Sequence, residues 1–218
     1  MSQNRSHAVM NQRYEPHDSL DDFPTPSWSV RAFVEYVLIP RCHLLHTQRV
    51  WEPASNRGCM ARPLAEYFMN VYASDIHDYG WSGLDKIDDF LFHASENDVG
   101  EIDWVITNPP FKAAEQFIEK AGKVAKVGYA FLVRTSFLEG VGRYNNLFRD
   151  NPPSLVAQYT ERVGMARGRV SPDISTATSY AWVVWIKDMK GQPTELKWIP
   201  PCRREFERQE DYTNILTA

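Results

Sequence analysis

Asp103-Trp104-Val105-Ile106-Thr107-Asn108-Pro109-Pro110-Phe111 is the stretch around which the rest of this sequence falls into place. Trp104-Val105-Ile106 is an apolar run with strand character, and it stops at a polar-Pro-Pro-aromatic tetrad. The proline after Asn108 disfavours helical backbone at that residue, and Pro109 and Pro110 have no N–H with which to extend a ladder. Asn108 is therefore expected at the carboxyl end of a buried strand, with its amide facing a crevice. The Asn108 amide oxygen and the Pro109 carbonyl can both accept hydrogen bonds from one amino group, while Phe111 offers a flat ring. Such a set suits a planar amine such as N6 of adenine.

Outward from the tetrad, strand and helix patterns alternate. Arg49-Val50-Trp51-Glu52 reads as a short strand broken by Pro53, and 71–75 as a second strand tipped by Asp75. A helix is expected from Pro26, capped by Ser27, with Val30, Phe33, Val34, Val37 and Leu38 at helical spacing before Pro40. A second apolar stripe, Met60, Ala61, Leu64, Ala65 and Phe68, predicts a helix ended by Asn70. Another is expected over 113–124, with strands over 129–133, 155–159 and 180–186; Trp182 and Trp185 are expected in the core. Residues 79–100 show turn signals and one short apolar piece, 90–92. Alternation of this kind predicts an α/β, doubly wound, mostly parallel sheet closed by a C-terminal antiparallel hairpin. Ligands of such sheets bind outside the carboxyl ends of the strands, where Glu52, Asp75 and Asn108 all fall. Asp75 follows Glu52 by roughly 20 residues, the spacing at which such folds receive ribose hydroxyls. The expected division is a flexible arm over 1–22, one domain over 23–200 and a polar tail over 201–218.

Composition narrows the classes. The 218 residues are enough for one full core, and 43% hydrophobic content is ordinary for a globular chain. A net charge of −4 argues against a protein that coats nucleic acid by charge alone, though not against a local basic cleft. Three scattered cysteines, Cys42, Cys59 and Cys202, lack metal-site spacing and suit free thiols in a reducing compartment. His43 and His46 have no further ligands near them, and no metal is expected. No apolar run reaches the ~18 residues of a membrane span, and the N-terminus lacks a signal-peptide core, so a cytoplasmic protein is expected.

Asn108-Pro109-Pro110-Phe111 resembles the catalytic tetrad of class I S-adenosylmethionine-dependent amino-methyltransferases, above all the DNA adenine-N6 enzymes. The resemblance extends from about Phe23 to Ile186. Phe23-Pro24-Thr25-Pro26 is similar to the family's amino-terminal cofactor motif, and its first place in the chain is the gamma-group arrangement. Glu52-Pro53-Ala54 with Gly58 is similar to the Glu-Pro-Ala-x-Gly-x-Gly cofactor loop, Asp75-Ile76 to the acidic ribose site, and Asp89-Phe90 to the pair beside the cofactor's adenine. The resemblance implies a Rossmann-like methyltransferase fold and S-adenosylmethionine as cofactor. It also implies catalysis by Asn108, Pro109, Pro110 and Phe111, with Asn108 touching the cofactor as well.

Two departures stand out. Asn56 occupies a position where the family has Gly; Asn tolerates left-handed backbone better than other non-glycine residues. After the hairpin only a short tail is expected, without room for a large target-recognition domain. Target choice would then fall to short insertions or to a partner protein. Arg167 and Arg169, in the Gly- and Pro-containing segment 167–176 between the two late strands, are candidates to meet phosphates of DNA, the expected substrate, or of RNA. The rival readings are an RNA-adenine or protein-glutamine methyltransferase, an inactive nucleic-acid-binding module of the same fold, and a nucleotide-dependent oxidoreductase. The last lacks its Gly-x-Gly-x-x-Gly loop. Oligomeric state is not legible here.

Overall fold

The computed structural model describes residues 21–92 and 99–213. The arm expected over 1–22 therefore lies, up to residue 20, outside the described residues.

Eight strands form one sheet: β1 (Arg49–Glu52), β2 (Asn70–Asp75), β3 (Lys86–Ile87), β4 (Ile102–Thr107), β5 (Ala125–Arg134), β6 (Leu155–Tyr159), β7 (Tyr180–Ile186) and β8 (Glu195–Ile199). Their order is β3-β2-β1-β4-β5-β7-β6-β8. β1 runs parallel to β2 and β4, and β4 to β5. β7 runs antiparallel between β5 and β6, so the expected late hairpin closes a mostly parallel sheet. Chain direction across the sheet reverses between β1 and β4. The ends of those two strands, at Glu52 and Asn108, flank the crevice this reversal opens.

Burial on both faces explains the continuous apolar runs. In β4, Trp104 and Ile106 face one core and Val105 the other, all fully buried. The first face is covered by α1 (Ser27–Phe33), which continues as a wider turn over Val34–Leu38; Phe33 stacks on Trp182 with ring centroids 4.0 Å apart. The second is covered by α3 (Ala114–Val124), which buries Phe117, Ile118 and Ala121.

Local details differ from the sequence expectations. Pro26, extended at ψ 126°, bounds α1, and Ser27 is its first residue; the Ser27 hydroxyl donates to Cys59 O (3.0 Å) rather than capping. The helix expected through 60–69 is a single turn, α2 (Ala61–Leu64), and Asn70 opens β2. Met60, Leu64 and Phe68 still face the core, because the bend after Leu64 keeps the same side chains inward. β3 and β8 were not anticipated. β3 is two residues long, and β8 holds Leu196 (61% exposed) and Trp198 (58% exposed) outward, inverting the pattern of a half-buried strand. α4 (Val141–Arg143) leads into a wider turn over Tyr144–Phe148. The segment expected as a polar tail contributes α5 (Arg203–Phe206) and α6 (Glu210–Thr213), both tied to Arg31 of α1. No helix among the described residues is long and apolar enough to cross a membrane.

Candidate active site

A cleft of about 330 Å³ opens at the carboxyl ends of β1, β2 and β4. Its lining includes Phe23, Thr25, Glu52, Pro53, Ala54, Asn56, Asp75, Ile76, Asp89, Phe90, Asn108 and Pro110, so most residues singled out in the sequence converge there. Pro26, Gly58, Pro109, Phe111, Arg167 and Arg169 do not line it. Pro109 is buried, Phe111 is half-buried, and Arg167 and Arg169 are exposed.

The loop after β1 is shaped by two left-handed residues. Asn56 has φ 50° and Gly58 φ 73°, so Asn56 adopts the geometry for which Gly is otherwise needed. Asn56 N–H donates to Asp75 Oδ2 (2.8 Å), which joins the loop to the tip of β2. The other Asp75 oxygen accepts from His77 N–H (2.9 Å). Burial raises the Asp75 pKa. Glu52 is more extreme: it is 1% exposed, and burial pushes its carboxyl up to about 8, with Asp75 adding to the shift. The Thr107 hydroxyl and the Ala54 N–H beside it oppose that shift.

The segment Asp21–Phe23 crosses the mouth as a strap. Asp22 Oδ1 accepts from Asn56 Nδ2 (2.8 Å) and Arg57 Nη1 (2.6 Å), and Asp21 Oδ2 accepts from Phe111 N–H (2.7 Å). The strap thus holds both the β1 loop and the tetrad. Asn108 Nδ2 donates to Phe23 O and to Thr25 Oγ1, both at 3.1 Å, so the early Thr-Pro element fixes the amide's orientation. The opposite atom, Asn108 Oδ1, is buried and has no hydrogen-bond partner among the described residues. An orphaned acceptor of this kind costs about 1–3 kcal/mol and marks a place where a donor is missing. Ser55 Oγ, in the β1 loop and lining the same cleft, is orphaned in the same way.

Two more neighbours complete the mouth. Met165 Sδ lies 3.8 Å from Asn108 Nδ2, and Gly168 N–H donates to Asp22 O (2.9 Å), so the loop between β6 and β7 leans over the tetrad. Arg134, the last residue of β5, lays its guanidinium over the Phe111 ring, 3.9 Å from the centroid. Phe23 tilts against the same ring at 5.4 Å.

Sequence reasoning missed Asp21, Ser55, Tyr79 and Asp88, and gave Arg134 no place beside the tetrad. Ser55 carried a signal, since it sits inside the loop that opens at Glu52-Pro53-Ala54. Asp21 and Arg134 are brought in by tertiary packing, and no local pattern marks them. Among the described residues, no group of His, Cys, Asp and Glu could hold a metal ion.

The cleft is acidic. Asp21, Asp75, Asp88 and Asp89 line it, together with Glu52, whose carboxyl a cationic ligand would help to ionise, against Lys112 among the described residues. Such a lining attracts a positively charged ligand and disfavours the pyrophosphate of a dinucleotide.

No family model matches the chain, and no curated protein matches it. Solved structures do share its fold. The methyltransferase subunit of a type I restriction-modification system from Streptococcus thermophilus superposes with TM-score 0.59 at 10% identity, over 91% of this chain and 53% of that one. A protein from Pyrococcus horikoshii, provisionally assigned as an RNA methyltransferase, gives 0.57 at 15% identity over 79% and 90%. A modification subunit provisionally assigned to a type I restriction enzyme of Vibrio vulnificus gives 0.55 at 14% identity over 90% and 52%. The chain spans about half the length of the two restriction-system subunits it resembles. The fold of this chain is the Rossmann-like fold of class I S-adenosylmethionine-dependent methyltransferases.

Proposed function

We propose that this protein is an S-adenosylmethionine-dependent N-methyltransferase whose target is the N6 amino group of adenine in DNA. The observation that carries the reading is the Asn108 amide: its nitrogen is committed to Phe23 O and Thr25 Oγ1, and its buried oxygen has no partner among the described residues. An exocyclic amine is a donor of the kind that oxygen lacks. The acidic cleft beside it fits a cationic cofactor, with Glu52 and Asp75 as carboxylate anchors and Ser55 Oγ as a further polar contact. The sulfonium cofactor supplies an electrophilic methyl group and needs no metal. Restriction-modification and RNA methyltransferases among the structural neighbours support a nucleic-acid target.

Catalysis in such a site is positioning. Asn108 Oδ1 accepts a hydrogen bond from the amine, concentrating electron density on the nitrogen and aiming its lone pair away from the amide; once the nitrogen takes the methyl group and the sulfonium leaves as a neutral thioether, the surplus N–H proton passes to water. Pro109 and Pro110 hold Asn108 at the strand tip without competing N–H groups. Phe111 stacks on the target ring, worth ~1–3 kcal/mol per base. A base in a duplex must first leave the stack.

Tritium transfer from labelled S-adenosylmethionine, measured in parallel on DNA, RNA and cell-extract protein, tests the reading. Label is expected in DNA, recovered as N6-methyladenine, and Asn108→Ala is expected to lose it while cofactor binding by calorimetry persists. Label confined to RNA or protein, or transfer undiminished in Asn108→Ala, overturns it.

A further inference from the structure

Arg134 stands outside everything assigned so far. It ends β5, pairs in register with Tyr180 of β7, and reaches across to the tetrad. At 3.9 Å from the Phe111 centroid, its guanidinium occupies the distance at which a flat ring would stack. A nucleobase and the guanidinium cannot share that face. The Arg134 Nε–H is also buried with no acceptor among the described residues. The side chain thus gains a cation–π contact in its present pose and loses a hydrogen bond, which leaves it ready to exchange both. Thr135–Leu138 leads from Arg134 out to exposed Val141 and Tyr144, so the side chain stands where the end of β5 gives way to the surface. Arginine suits both positions, because a planar cation stacks on a ring and also grips a phosphate.

We propose that Arg134 is a placeholder in the target slot. It covers Phe111 while the slot is empty, is displaced by the incoming adenine, and then holds a phosphate of the strand that carries that base. The inference rests on the adenine reading of the site. It makes Arg134 a positioning residue that links base capture to backbone contact.

Displacement and phosphate contact pull in opposite directions when the ligand lacks a phosphate, and that separates the two. Binding of adenosine and of a single-stranded oligo(dA) is measured by calorimetry and fluorescence anisotropy, on protein saturated with S-adenosylhomocysteine. Arg134→Ala is expected to bind adenosine about two- to fivefold more tightly, the worth of an exposed cation–π contact released. The same variant is expected to bind oligo(dA) more weakly, with its salt slope reduced by about one. Arg134→Lys keeps the charge and is expected to restore most of the oligonucleotide affinity and slope. Thermal melts of both variants identify a loss that is merely one of folding.

If Arg134→Ala shifts both ligands in the same direction or neither, the placeholder is overturned. If the opposite shifts appear and wild-type protein transfers no methyl group to DNA, the placeholder stands and the catalytic reading falls. Wild-type protein that binds neither ligand overturns both.

Discussion

Glu52 carries the clearest electrostatic consequence of any single residue. Burial lifts its carboxyl from 4.5 to about 8 in the folded protein. The folded state therefore retains a proton that the unfolded chain releases at neutral pH. With the unfolded state binding fewer protons, stability falls as pH rises from about 4.5 to about 8. Glu52→Gln keeps the shape and removes the titration. Urea melts of the ligand-free protein should show the variant more stable at pH 8 by on the order of 3 kcal/mol, with a flatter pH profile between 5 and 8. Calorimetry should show weaker S-adenosylmethionine binding, since a carboxylate that answers a cation is gone. A variant that is less stable at pH 8 would show that Glu52 is already ionised and paired without ligand. Sequence disclosed the position of Glu52 at a strand tip, because strand ends are local. It did not disclose the shift, which depends on how Asp75 and Thr107 from two other strands close around it.

At the scale of elements, the β1 loop separates two residues that look alike in sequence terms. Asn56 and Gly58 both have positive φ, but their side-chain surroundings differ. Asn56 points its amide at Asp22 (2.8 Å), whereas a Cβ on Gly58 would overlap the Trp81 indole. Asn56→Gly should therefore cost about 1 kcal/mol, mostly the lost hydrogen bond. Gly58→Ala should cost roughly 2 kcal/mol or more, from backbone strain and overlap together, and should weaken cofactor binding. Equal melting temperatures for the two variants would contradict this division. The loop between β6 and β7 gives the complementary case. It approaches the tetrad through Met165 and Gly168, yet Arg167 and Arg169 do not line the cleft and stay exposed. Their proposed role is phosphate contact at the rim. Replacing both by Ala should reduce the slope of log affinity against log salt for DNA by about two and leave cofactor affinity unchanged. An unaltered slope removes the loop from the nucleic-acid surface. Elements whose apolar pattern matches their burial were legible in advance, α3 with its single buried stripe and β4 with its continuous apolar run among them. β8 was not, because its outward Leu196 and Trp198 break the correspondence between apolar and buried.

Across the whole molecule, the site depends on an element that the sheet does not hold by itself. The segment Phe23–Pro26 leads from the strap into α1, and its Phe23 carbonyl and Thr25 hydroxyl orient the Asn108 amide. On its outer side α1 is clamped to the end of the described chain by Arg31, which is 3% exposed. Arg31 Nη1 and Nη2 donate to the two Asp211 oxygens at 2.8 Å each, Nη1 also to Phe206 O at 2.8 Å, and Nη2 and Nε donate to Glu66. The mostly parallel sheet and the strand ends that flank the crevice could be read from alternating patterns, whereas this clamp joins residues 31, 66 and 211, whose separation hides it from any sequence window. A buried guanidinium with two carboxylates and a carbonyl is a geometry that a lysine ammonium cannot satisfy. Arg31→Lys should accordingly leave at least one buried carboxylate oxygen without a donor and cost about 2 kcal/mol, or a fall of roughly 4–8 °C in melting temperature for a chain of this size. Loosening α1 should also blur the Asn108 amide, so methyl transfer near the melting transition should decline before cofactor binding does. The comparison to make is turnover against calorimetric cofactor affinity at 25 °C and at 5 °C below the variant's midpoint. If both fall together, the C-terminal clamp serves stability alone; if turnover falls first, residues far from the crevice help hold the amide that faces it.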